Sequence, residues 1–182
     1  METKLLEEQI HSTIYRLAGY FELESIGELP KVSRENPPDR DASIWVRHWS
    51  FHNWITFPPT NHPRFYDWMV SEQTINHEAS HYLHHQANPG LNETIKELME
   101  LENKGEKPEI IPYLQGLREL IAEYPNMIQG LNHYNKPGQK IEYEWTRKAY
   151  KKLGSKALPR IARMTVTEAR KEGFLEGNYF LK

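Results

Sequence analysis

One short stretch carries the residue types and spacing that could do chemistry: Ile75-Asn76-His77-Glu78-Ala79-Ser80-His81-Tyr82-Leu83-His84-His85. It contains the pattern His-Glu-x-x-His. Side chains four apart on a helix share a face, so His77 and His81 can turn their rings to one cation. Zinc takes imidazole nitrogens at about 2.0–2.1 Å in a tetrahedral shell. Glu78, beside the first imidazole, puts a carboxylate where it could take a proton from a metal-activated water, which is hydrolytic chemistry. At roughly 100° per residue, Thr74, His77, His81, His84 and His85 gather on one side and Ile75, Ala79, Tyr82 and Leu83 on the other. The spacing therefore predicts a two-faced helix, packed on a core by one face and offering imidazoles to a cleft with the other.

A metal needs a third protein ligand. The chain has no Cys and only three Asp, so His and Glu are the donors on offer. Residues 139–153 read as a helix with an apolar stripe of Ile141, Trp145, Ala149 and Leu153. Glu142 falls inside that stripe, and Glu144 falls on the opposite, Lys-rich side. A carboxylate turned toward a core costs free energy unless it is paired or ligates a metal. Glu142 is thus the expected third ligand. A salt bridge to a buried Arg, or a place at the stripe's edge, is the alternative. His133 is the candidate if the third ligand is a histidine, and His84 or His85 could close the shell as a fourth ligand of a structural site.

The elements that must position these groups follow from periodicity and punctuation. The 182 residues suit one domain over 1–182, and a net charge of −2 gives no global field toward nucleic acid or membrane. No apolar run approaches bilayer length and the first residues lack a signal-peptide core, so a cytoplasmic location is expected. Residues 3–18 read as an amphipathic helix, and 20–41 as irregular. Residues 42–49 and 53–57, rich in β-branched and aromatic types, read as two strands around a turn at Ser50–Asn53. Ser71 is the expected cap of the histidine helix, which stops near Asn88-Pro89-Gly90. Asn92 is the expected cap of a helix to Asn103. A further helix covers 109–124, and Pro125 begins a loop to Pro137-Gly138. Phe174 to Leu181 holds apolar side chains that could dock on the core. The fold class expected is α+β, mostly helical, with a short antiparallel sheet before the histidine helix. Residues 147–171 hold nine Lys and Arg against the one acid Glu168, either a solvated surface or a contact for an acidic partner such as nucleic acid.

With His77-Glu78-x-x-His81 followed by Glu142 on a later helix, the sequence resembles the zincin metallopeptidases of the glutamate-ligand (gluzincin) branch. The segment Glu142-Tyr143-Glu144-Trp145-Thr146-Arg147-Lys148-Ala149 is similar to the second-helix signature of minimal members such as the ImmA/IrrE-like and HtpX-like peptidases. Trp145 and Thr146 stand where that signature has a small residue and an Asp or Asn. The resemblance implies a minimal zincin fold and a Zn2+ ion held by His77, His81 and Glu142, with Glu78 as general base. It implies hydrolysis of a protein or peptide substrate laid along an edge strand, for which Trp54–Phe57 is in place. Tyr143, His133 and Tyr134 are candidates for stabilising the developing oxyanion. The alternative is a regulatory or nucleic-acid-associated binding protein that keeps the zincin scaffold without turnover.

Overall fold

The computed structural model describes residues 3–34, 47–49, 54–57, 71–105, 109–131 and 141–176. Helix α1, Thr3–Ala18, spans the predicted residues and buries Leu6, Ile10, Ile14 and Leu17, the three- and four-residue spacing of an apolar stripe. A 3₁₀ turn at Gly19–Phe21 follows, and Glu22 leaves it in the left-handed region at φ 51°. Three short strands come next among the described residues: β1, Lys31–Arg34; β2, Arg47–Trp49; and β3, Trp54–Phe57.

The sheet order is β1-β3-β2. β2 and β3 pair antiparallel, with Trp49 opposite Trp54, as a hairpin around Ser50–Asn53 requires. The turn itself and residues 42–46 lie outside the described residues. β1 pairs with β3 in parallel, Val32 opposite Ile55. The sheet is therefore mixed rather than antiparallel, and its first strand falls in a region that reads as irregular. This corrects the expectation for Trp54–Phe57. β3 is the central strand, its backbone groups already shared with β1 and β2, and so it has no edge to offer a substrate.

Helix α2, Glu72–Ala87, starts at the predicted cap: Ser71 Oγ accepts from the Thr74 N–H at 3.4 Å. It ends at Asn88, as expected. α2 packs against α1 on one side and against α4, Ile110–Ile128, on the other. It is buried nearly all round, and the expected open cleft over its histidines is instead covered by α4, with His81, His84 and His85 all buried. Helix α3, Gly90–Asn103, begins before Asn92, which is inside the helix and not its cap.

α4 also departs from expectation, for it runs through Pro125 to Ile128. A proline in a helix removes one backbone hydrogen bond and crowds the preceding turn, at about 3 kcal/mol. Here Tyr124, Pro125 and Asn126 are all buried, and the ladder resumes with Gln129 N–H donating to Pro125 O at 3.0 Å. Packing outweighs the local penalty. Helix α5, Ile141–Leu153, packs on α4 through Trp145 and Ala149. Gly116 of α4 lies directly under the Trp145 ring, whose Nε1 donates to Glu176 O at 2.7 Å. Two short helices, α6 (Leu158–Ala162) and α7 (Val166–Lys171), complete the described chain; α7 carries a capping box between Thr165 and Glu168. Phe174 and Leu175 join the core, while Tyr179, Phe180 and Leu181 lie outside the described residues. No described helix is long and apolar enough to cross a membrane.

Candidate metal centre

His77 and His81 lie one turn apart on α2, with ring centroids 4.8 Å apart and ring planes at 85°. Their Nε2 atoms are 3.1 Å apart. The third member of the group comes from α4 and was not foreseen: Glu119 Oε2 is 3.2 Å from His77 Nε2, and Glu119 Oε1 is 3.6 Å from His81 Nε2. Among the described residues, His77, His81 and Glu119 form a group able to hold a metal ion. The separations fit one. Donors about 2.0–2.1 Å from a tetrahedral centre stand about 3.3–3.4 Å from one another. Two ring nitrogens and a carboxylate converging this closely present lone pairs to one another, and only protons or a cation between them relieve that repulsion.

A second carboxylate orients the first imidazole. Glu123, one turn beyond Glu119, places Oε2 3.4 Å from His77 Nδ1. This is the carboxylate–histidine arrangement that fixes ring tautomer and tilt at metal sites. Exposure is graded across the cluster: Glu123 is 5 % exposed, His81 7 %, His77 17 % and Glu119 32 %. Among the described residues, Glu119 is the most exposed member of the group.

The side chains shift one another's protonation. Burial disfavours a charged His77, but its hydrogen bonds to Glu119 and Glu123 prevail and hold its pKa well above the ordinary value. Burial lowers His81 to about 4, against the pull of Glu119. Glu119 is held well below the usual carboxylate range: burial alone would raise it, and its bonds to the two histidines more than offset that. Glu78 is buried, and that burial raises it to about 8 despite the opposing charges of His77 and Arg118. Its Oε2 has no hydrogen-bond partner among the described residues. His84 lies deeper, fully buried, and burial followed by the neighbouring His85 pushes its pKa far down. Neither His84 nor His85 belongs to the metal-holding group.

Glu142 starts the first turn of α5, but its side chain lies outside what is described, as does that of Tyr143; His133 and Tyr134 lie outside entirely. Trp145 and Thr146, the departures from the signature, have packing roles: Trp145 covers Gly116, and Thr146 Oγ1 donates to Leu120 O at 3.4 Å. A signal for Glu119 does exist in the sequence. Glu119, Glu123 and Asn126 recur at helical spacing along α4, opposite its stripe of Leu117, Leu120, Ile121 and Tyr124.

Five of the nine cations in the basic stretch have partners within the chain. Lys148 pairs with Glu176, Lys152 and Arg160 pair with Glu172, Arg163 donates to the carbonyls of Phe21, Pro159 and Glu22, and Arg170 lies over the Tyr113 ring. Comparison with protein-family models, curated proteins and solved structures finds no match for this chain.

Proposed function

We propose that the chain is a metal-dependent hydrolase, and specifically a zinc peptidase, with His77, His81 and Glu119 as ligands and Glu78 as general base. The observation that carries this reading is the convergence of two Nε2 atoms and a carboxylate at 3.1–3.6 Å, with the Glu of His-Glu-x-x-His beside them. Glu119 takes the role that the sequence pattern gives to Glu142. When bound, the ion would supply Lewis acidity to a water and to a scissile carbonyl. The protein's own groups do the rest. Glu123 holds the Nδ1 side of His77, so Nε2 is the atom turned to the ion. Glu78 offers an unengaged, buried carboxylate oxygen that can accept a proton and return it to a leaving amine. Three protein ligands leave a coordination position open, the mark of a catalytic rather than a structural zinc site.

Peptide as substrate rests on the resemblance to gluzincins. With β3 central, β1 and β2 are the strands left at the sheet's edges for an added β-strand, and β2 approaches α2. A nucleic-acid-binding role rests on the basic stretch alone, three of whose nine cations, Lys148, Lys152 and Arg160, are paired with Glu176 and Glu172 within the chain.

Elemental analysis of the purified protein tests the site. About one zinc per chain is expected in wild type, lost or weakened in Glu119→Ala and kept in Glu142→Ala; the reverse pattern would return the third ligand to Glu142. Glu78→Gln should keep the metal and abolish hydrolysis across a peptide panel, and hydrolysis by a metal-loaded Glu78→Gln protein would remove Glu78 from its role.

A further inference from the structure

A run of side-chain hydrogen bonds leads from the outer face of α1 to the inner edge of the His77 ring. Arg16 Nη2 donates to Asn76 Oδ1 at 2.6 Å. Asn76 Nδ2 donates to Asn126 Oδ1 at 3.1 Å. Asn126 Nδ2 donates to Glu123 Oε2 at 3.2 Å, and that oxygen faces His77 Nδ1 at 3.4 Å. The remaining amide hydrogens are used as well. Asn126 Nδ2 donates to Gln73 O at 3.1 Å, and Asn76 Nδ2 to Gln129 Oε1 at 3.3 Å, an oxygen that also accepts from Arg16 Nη1 at 2.8 Å. Asn76 and Asn126 are fully buried, so water does not replace a bond that is lost.

The run has one permitted direction. A guanidinium only donates, so Arg16 requires Asn76 to present its oxygen. The Asn76 nitrogen then faces Asn126, which must answer with oxygen and turn its own nitrogen to Glu123. A carboxylate at the far end accepts, in agreement with the donor at the start. Reversing either amide would set N–H against N–H. With Glu123 held as an acceptor, His77 keeps its hydrogen on Nδ1, and Nε2 is left to ligate.

We infer that Arg16, Asn76 and Asn126 are positioning residues that fix the Nδ1–H hydrogen bond of His77 through Glu123, so that a surface arginine decides which atom of a half-buried histidine ligates. The purpose of the relay rests on the metal-centre reading; its geometry does not. Glu72, a surface ion-pair partner of Arg16 at 3.6 Å, provides the control.

The test is Arg16→Met, with two readouts. The Arg16 side chain is 43 % exposed, so its replacement opens no cavity in the core. The first readout is the exchange rate of the His77 Nδ1–H proton, followed by NMR in chelator-treated protein. It is expected to be slow in wild type and in Glu72→Gln, faster in Arg16→Met, partly restored in Arg16→Lys, and fastest in Asn126→Ala. The second is zinc affinity by competition with a chromophoric chelator. Arg16→Met should weaken it severalfold and Glu123→Gln about 10–100-fold. Unchanged Nδ1–H exchange in Arg16→Met overturns the relay, whether or not zinc binds. A wild type that binds no zinc, yet whose Nδ1–H responds to Arg16→Met, supports the relay and removes the metal centre.

Discussion

Two residues of one helical turn, His77 and His81, have nearly the same neighbours and opposite proton affinities. His77 gains two carboxylate partners, Glu119 and Glu123; at His81 burial outweighs the pull of Glu119. The proton on His77 stabilises the fold fully below the unfolded value of about 6.5, and that stabilisation is lost as pH rises through the higher folded value. A ligating imidazole must be neutral, so an incoming cation displaces this proton, and also the one that Glu78 holds up to about pH 8. His81, already neutral above about pH 4, contributes none. Zinc affinity is therefore expected to climb between pH 6 and 8 by about tenfold or more per unit, and the climb should be shallower in Glu78→Gln. Competition titrations at several pH values read this directly; a flat profile would contradict the assigned protonation states. Arg118, adjacent to Glu119, adds to His77 in opposing the upward shift of Glu78, and no motif in the sequence singled it out.

Among the described residues, α4 supplies the carboxylate of the candidate cluster, while the Glu142 side chain on α5 lies outside them. The apolar stripe of α4 packs into the core, and its opposite face, with Glu119, Glu123 and Asn126, meets the histidines of α2. α5 backs α4 and sets its position through Trp145 on Gly116. A Cβ at Gly116 would fall inside the van der Waals envelope of Trp145 Cζ3, and that ring is pinned by its Nε1 hydrogen bond and has no room to retreat. Gly116→Ala should therefore destabilise by about 1–3 kcal/mol net, even though alanine is the better helix former by about 1 kcal/mol. Urea unfolding measures the balance, and a stabilised variant would mean that α5 can move away freely. The same contact explains why a large residue stands at 145, where the gluzincin signature has a small one. The segment that resembles a ligand helix packs here as a supporting helix, through the side chains of Trp145, Thr146 and Ala149.

Across the whole molecule, the candidate ligands tie α2 to α4, two elements separated by α3 and a turn. A bound ion should then behave as a crosslink of the native state. Zinc at about a thousand times its dissociation constant is expected to add about 4 kcal/mol to stability. Thermal unfolding with zinc and with chelator should differ in midpoint for wild type and coincide for Glu119→Ala; coincident midpoints in wild type would mean that the ion does not bridge the helices. Much of this architecture was legible in the sequence. The spacing of Leu6, Ile10, Ile14 and Leu17 sets α1, the Ser71 cap and Asn88-Pro89-Gly90 bound α2, and the aromatic, β-branched run around Trp49 and Trp54 supplies the antiparallel strands β2 and β3. His77, Glu78 and His81 share one turn because four residues nearly complete a helical turn, a relation that any helix enforces locally. The third ligand is another matter. Periodicity tells which face of a helix is apolar but not what its polar face meets, and so it marks Glu142, an acid on an apolar stripe, and passes over Glu119, an acid on a polar one. Only the packing of α2 between α1 and α4 turns that polar face inward, carries α4 past Pro125 to present Asn126, and joins Arg16 to His77 across residues far apart in the chain. Those contacts depend on how helices stack, and no local rule of spacing contains them.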